Sequence, residues 1–118
     1  MTTLKLRILF DTAMLGPGKA ELLRLIATTG SISAAGRAMG MSYKRAWSLV
    51  EEMNAAFAAP LVTSTRGGPG GGGAHLTETG QSVLALYDDI LARTAQAAAP
   101  QLAQLESLLR PSVISKEK

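Results

Sequence analysis

The residues with the densest chemistry are Ser42-Tyr43-Lys44-Arg45, followed closely by Trp47 and Ser48. In a helix they fill less than two turns and bring together two cations, two hydroxyls, a phenol and an indole N–H. Such a donor-rich set suits an anionic polymer with readable edges. Phosphates are met by charge, and a long basic side chain reaches the base. A helix start favours this use, because free amides and the positive end of the helix dipole face the same ligand. The same residues also make an ordinary solvated first turn. What positions them decides between the two.

A second candidate is the tract RGGPGGGGAH, from Arg66 to His75. Its composition is that of a phosphate cradle, yet no Gly-Lys-Ser/Thr follows and its flanks are strand-like on both sides. A nucleotide loop therefore lacks its context. The glycines suit the tip of a β-ribbon that approaches a sugar–phosphate backbone closely, with Arg66 and His75 at its base. A flexible linker has the same composition.

Catalytic chemistry finds no foothold. The hydroxyls have no His–Asp partner in a recognisable motif, and the pairs Glu51-Glu52 and Asp88-Asp89 diverge on a helix as solvated faces. The chain has no cysteine and one histidine, which leaves neither a thiolate site nor a protein-only zinc site. No enzyme activity, metal or cofactor is expected.

The 118 residues suit one domain with a modest core. A net charge of +3 permits a nucleic-acid partner without requiring one. The start, MTTLKLRILFDTAML, carries Lys5, Arg7 and Asp11 within its apolar stretch. It is neither a signal peptide nor a membrane span, so a cytoplasmic location without a membrane partner is expected.

The elements that must position the donors follow from periodicity. Leu4, Leu6, Ile8 and Phe10 alternate with Lys5, Arg7 and Leu9, which predicts a half-buried strand over Leu4 to Phe10. After Gly16-Pro17-Gly18, Lys19 to Thr29 is helical, with Leu22, Leu23, Ile26 and Ala27 as its apolar stripe. Gly30 is its left-handed cap. Ser31 or Ser33 caps a second helix with Ala34 to Met39 as its body, whose small residues allow close approach. Gly40 turns the chain, and Ser42 caps a third helix. There Ala46, Leu49, Val50, Met53 and Phe57 face inward, while Tyr43, Lys44, Trp47, Ser48 and Glu51 face away.

Pro60 stops that helix. Leu61 to Thr65 and His75 to Thr77 then form a two-stranded wing across the glycine tract. Thr77 caps a last long helix from about Glu78, with Val83, Leu84, Tyr87, Ile90 and Leu91 as its stripe. Pro100 interrupts it or opens a separate helix, the leucines continue to Pro111, and the tail SVISKEK is frayed.

The predicted class is α+β, mainly α: a winged helix-turn-helix with a short N-terminal strand, a Gly-rich wing and a long C-terminal dimerisation helix. Residues 1–80 form the DNA-binding domain, 81–112 the helical dimerisation segment and 113–118 a flexible tail. The DNA-contacting set is Ser33, Ser42, Tyr43, Lys44, Arg45, Trp47 and Ser48, joined by Arg66, Gly67, Gly68, Gly71, Gly72 and His75 of the wing. Trp47, one position off the inward stripe, wedges against the wing or the DNA backbone, or else caps the edge of the core.

Leu84, Leu91, Ala98 and Leu105 recur every seven residues, as do Ala95, Leu102 and Leu109, but Asp88 breaks the second series. Intramolecular packing explains Val83 to Tyr87 equally well. Beyond Ile90 the helix has less of its own domain to cover it. A second copy is therefore expected against Leu84, Tyr87, Leu91, Ala95, Ala98 and Leu102.

The segments GPGKAELLRLIATTGSISAAGRAMGMSYKRAWSLVEEMN and RGGPGGGGAHLTETG resemble the N-terminal DNA-binding domain of the ModE-type, molybdate-responsive transcription regulators. These belong to a wider winged-helix group with the LysR-type regulators. The resemblance covers roughly Leu4 to Tyr87. It implies a winged helix that dimerises through its terminal helices and binds a two-fold symmetric operator on double-stranded DNA. It places Ser42, Tyr43, Lys44, Arg45 and Ser48 on the recognition helix, the wing over Arg66 to His75, and Thr77 at the start of the dimer helix. The implied targets are genes for molybdate uptake and molybdoenzymes.

Full-length members carry a C-terminal molybdate-binding region, for which a sequence stopping at Lys118 leaves no room. The expectation is a chain that acts without ligand or takes its signal from a separate oxyanion-sensing protein or a paralogue, unless the sequence is part of a longer one. The alternative is a winged-helix protein–protein interaction module with no specific DNA target.

Overall fold

The hydroxyls and glycines that punctuate the sequence fall at helix ends. In this computed structural model, residues 2–68 and 71–111 are described, the side chains of 66–68 and 71–72 excepted. The order is β1 (Ile8–Leu9), β2 (Met14–Leu15), α1 (Pro17–Thr29), α2 (Ile32–Ala38), α3 (Tyr43–Ala56), β3 (Val62–Gly68), β4 (Gly71–Leu76), α4 (Glu78–Ala97) and α5 (Ala99–Ser107). This is an α+β winged helix. Ser31 rather than Ser33 caps α2, accepting from the Ala34 amide at 3.0 Å. Ser42 accepts from Arg45 N and Thr77 from Gly80 N, each at 3.0 Å. Each cap satisfies an amide that the first turn leaves without an intrahelical partner. Gly40, between α2 and α3, has φ of 74°, a left-handed turn that other residues enter at a cost.

The main core joins Leu22, Leu23 and Ile26 of α1 to Ile32 and Ala35 of α2 and to Ala46, Leu49, Val50 and Met53 of α3. Leu61, Val62, Ala74 and Leu76 close it from the wing. The small residues of α2 have the predicted effect: a Cβ on Gly36 would stand 2.8 Å from that of Ala46. Ala27, expected on the inward stripe, is exposed. By angle it falls on the buried arc, between Leu23 and Ala20, but it stands in the last turn of α1, beyond the part of that arc the core covers.

The N-terminal strand is shorter than its alternation implies. Leu4, Leu6 and Ile8 are half-buried while Lys5, Arg7 and Leu9 are exposed, as expected, but only Ile8 and Leu9 pair. Their partners are Leu15 and Met14, antiparallel. A ladder extends only as far as its partner, and β2 has two residues. Phe10 is exposed because its amide turns back to the Ala13 carbonyl at 2.7 Å.

The first half of α4 is built into this unit. Val83 and Leu84 pack on the core, and Tyr87 lies in a second cluster with Leu15 and Ala20. Arg24 of α1 bridges to Asp88 at 2.6 Å, a hydrogen bond that raises the guanidinium pKa above its ordinary value. Pro100 falls in the first turn of a separate helix, α5, where its missing N–H leaves no bond unmade. No helix among the described residues is long and apolar enough to cross a membrane.

Close approach of α4 to the wing base depends on Gly80, which is buried. A Cβ there would overlap the Leu61 carbonyl oxygen, a backbone atom held on both sides. Gly80→Ala is expected to lower unfolding free energy by about 1–3 kcal/mol, although alanine favours an isolated helix by about 1 kcal/mol. A higher denaturation midpoint in the alanine variant would mean that α4 and Leu61 do not approach in this way.

Candidate nucleic-acid interface

Helix α3 presents three surfaces besides its buried one. With about 100° between successive residues, Lys44, Ser48 and Glu51 point within about 60° of one another, directly away from the core. All three are exposed. Tyr43 and Trp47 lie to one side of this arc. Arg45 and Glu52 lie about 140° or more from Trp47, on the other side.

On the first side α3 faces the wing across an open groove of about 260 Å³. Tyr43 and Trp47 form its wall on α3, stacked with ring centroids 6.3 Å apart and planes 14° from parallel. Ser31 and Ser33 of the α1–α2 corner line it, and Ser64 and Thr65 face them from β3. The groove is neutral and rich in hydroxyls, which hydrogen-bond a phosphate oxygen without adding charge. Trp47 is half-buried here, at the edge of the core and beside the wing at once.

The predicted residues divide by role. Lys44 and Ser48 project from the free face of α3, and Tyr43, Trp47 and Ser33 meet in the groove. Ser33 also accepts from Arg37 Nη1 at 3.0 Å, so it orders a cation on the exposed side of α2. The Ser42 oxygen is engaged by its own helix as the cap. His75 does not line the groove; its Nε2 sits 3.0 Å from Thr63 Oγ1 across the ladder, on an exposed face of the wing. The backbones of Arg66, Gly67 and Gly68 lie in β3 and those of Gly71 and Gly72 in β4, while their side-chain positions are outside the described residues.

The helix proposed for self-association needs one correction. Tyr87 is 2% exposed and donates its hydroxyl to the Leu6 carbonyl at 2.7 Å, so its surface is consumed within the chain. Leu84, Leu91, Ala95, Ala98 and Leu102 are half-buried. The large exposed apolar residues of this region are Leu86 and Ile90 of α4, Leu105 of α5, and Leu108 and Leu109 just after it. Ile90, expected on the apolar stripe of α4, is exposed, and Leu86 lies outside both seven-residue series.

Residues 18–81, more than half of the chain, match the family model for bacterial regulatory helix-turn-helix proteins of the lysR family. The chain belongs to this family. Its helix-turn-helix is of the ModE type: the molybdenum-pterin-binding protein MopB of Rhodobacter capsulatus is 49% identical over 84 residues, 71% of this chain and 31% of its own length. The DNA-binding transcriptional dual regulator ModE of Escherichia coli is 41% identical over 99 residues, 84% of this chain and 37% of its own. The transcriptional regulator ModE of Yersinia pestis is 46% identical over 72 residues, 61% and 27%. The chain spans about a third of the length of these relatives.

What orients the wing on this lysR-type head is Asn54, which carries no local sequence signal. Its Oδ1 accepts from Leu61 N at 2.8 Å and Val62 N at 3.1 Å, and its Nδ2 donates to Val62 O at 3.0 Å. Three backbone groups at the base of β3 are thereby satisfied by one amide on α3. A second tie runs from Ala74 N to Gly30 O at 2.9 Å, joining β4 to the end of α1. Asn54→Ala strands two donors, at about 1–3 kcal/mol for each that stays dry. Amide exchange at Leu61 and Val62 should accelerate before that of the α1 core; equal protection in both proteins would deny Asn54 this role.

Proposed function

We propose that the chain is a sequence-specific, DNA-binding transcription regulator that acts as a homodimer on a two-fold symmetric operator. The observation that carries this reading is the free arc of α3. Lys44 and Ser48 are exposed there, with no side-chain hydrogen bond or ion pair among the described residues, between a hydroxyl-lined groove and the arginine-bearing side of the helix. A helix so flanked fits a major groove about 12 Å wide, where Lys44 pairs with guanine O6 or N7. Its place at the helix start agrees with the reach of a recognition helix.

The exposed leucines of α4 and α5 support the dimer. Two heads related by a two-fold axis meet half-sites about 34–36 Å apart, and linkage multiplies their affinities. The molybdenum in the names of relatives supports genes for molybdate uptake or molybdoenzymes as targets. The nearest different class, a protein–protein module, has no observation that favours it.

The test is selection of duplexes by the whole chain from a random library, followed by anisotropy titrations. The selected duplex should outcompete random DNA, and affinity should fall steeply with salt as counterions are released. Lys44→Ala should cut discrimination by about 1–3 kcal/mol and leave the melting temperature unchanged. Failure to retain any duplex at about 50 mM salt would refute DNA binding.

The dimer has its own measurement. Leu105→Glu with Leu108→Glu, both at exposed positions, should give a folded monomer in sedimentation equilibrium that protects one half-site. A variant that still sediments as a dimer would remove α5 from the interface.

A further inference from the structure

Helix α3 has a second flank, opposite the wing, where the chain's start approaches the recognition helix. Arg7 and Arg45 line one groove of about 320 Å³ there, with Met14, Pro17, Lys19 and Glu52 among its other walls. Lys19 is held by the Met14 carbonyl at 3.0 Å and pairs with Glu52 at 3.2 Å. These two charges cancel. Arg7 and Arg45 are exposed and have no ion-pair partner among the described residues, so the groove keeps a net positive charge.

We infer that Arg7 and Arg45 clamp the sugar–phosphate strand on the side of α3 away from the wing, which makes the N-terminal arm part of the DNA-binding surface. A helix with its side chains is about 10–12 Å across and fills a major groove about 12 Å wide, so a row of phosphates stands on each flank. The wing-side groove meets one row with neutral donors. The arginine groove meets the other with charge and fork-shaped donors, the geometry suited to phosphate oxygens.

The arm is held for this purpose. Ile8 and Leu9 pair with β2, and the Leu6 carbonyl accepts the Tyr87 hydroxyl, so Arg7 is fixed on both sides. Its stem runs along Gly16, where a Cβ would stand 3.5 Å from Arg7 Cγ. Tyr87 is a positioning residue for the arm rather than a contact.

The inference rests on the DNA-binding reading above and adds a sequence-independent contact to it. Phosphate contacts carry no base information, so losing one should weaken all duplexes alike. The whole chain and its Arg7→Ala and Arg7→Lys variants are titrated against two fluorescein-labelled duplexes of about 30 base pairs, one random and one selected by the wild type.

Arg7→Ala is expected to weaken both by the same factor, roughly threefold to tenfold at about 50 mM salt, and to reduce the log–log salt slope by about 0.9. Arg7→Lys should retain most of both, and the melting temperature should not change. Wild-type binding with an unaltered Arg7→Ala affinity and slope would overturn the clamp and leave the DNA reading standing. A loss confined to the selected duplex would overturn it too, by making Arg7 a base contact. If the wild type retains neither duplex, both readings fall.

Discussion

The backbone of Leu61 joins the parts of the molecule that would otherwise hang separately. Its amide is donated to Asn54 of α3, and its carbonyl accepts the amide of Thr77, the residue that caps α4. The Thr77 hydroxyl reaches the adjoining Pro60 carbonyl at 2.6 Å while accepting from Gly80. The side chain of Leu61 is meanwhile fully buried in the core. Helix α3, wing and long helix therefore meet at one residue whose polar groups are satisfied and whose apolar group is dry. Buried amides and carbonyls without partners are costly, so the three elements cannot shift independently. Gly80 follows from this: only a residue without a side chain lets α4 start so close to that carbonyl.

With those angles fixed, α3 can be divided by arc. One arc belongs to the core, one to the wing groove, one to the arginine groove, and the fourth is free. The flanks differ in kind. Hydroxyls and an indole on the wing side would give geometry with little dependence on salt, whereas two arginines with no ion pair among the described residues would give long-range attraction that salt screens. Affinity and its salt dependence thus lie mainly on one flank of the proposed reading head, register lies on the other, and sequence discrimination lies on the arc between.

Much of this was legible because it is local chemistry. A Ser, Thr or Gly at a helix end acts on amides within three or four residues, so Gly30, Ser42 and Thr77 could be placed from the sequence. The donor cluster on α3 was legible for the same reason, by counting around one helix. Tertiary commitments were not. Asn54 lies in the last turn of α3, its partners are at and just before the start of β3, and nothing nearby distinguishes it from a solvated asparagine. Tyr87 fits an apolar stripe equally well whether its own chain or a second copy covers it, and the arm carrying Leu6 decides the matter. The length of β1 was set by a two-residue partner rather than by its own alternation. Arg7 read as an outward strand residue, because the groove it lines is assembled from β2, α1 and α3.

The long helix then links two jobs that sequence patterning had kept apart. Its first turns close the core, and through Tyr87 they hold the arm; Asp88 fixes its angle to α1 through Arg24. Leu86 and Ile90, four residues apart on one exposed face, begin the surface proposed for the second copy alongside these internal contacts. No break interrupts α4 between Glu78 and Ala97. On the proposed dimer, the angle at which two copies pack is therefore carried by an unbroken helix to the Leu61 junction and the arm. On that reading the spacing of the two heads follows from how these helices pack and from the Leu61 junction that ties α4 to α3 and the wing.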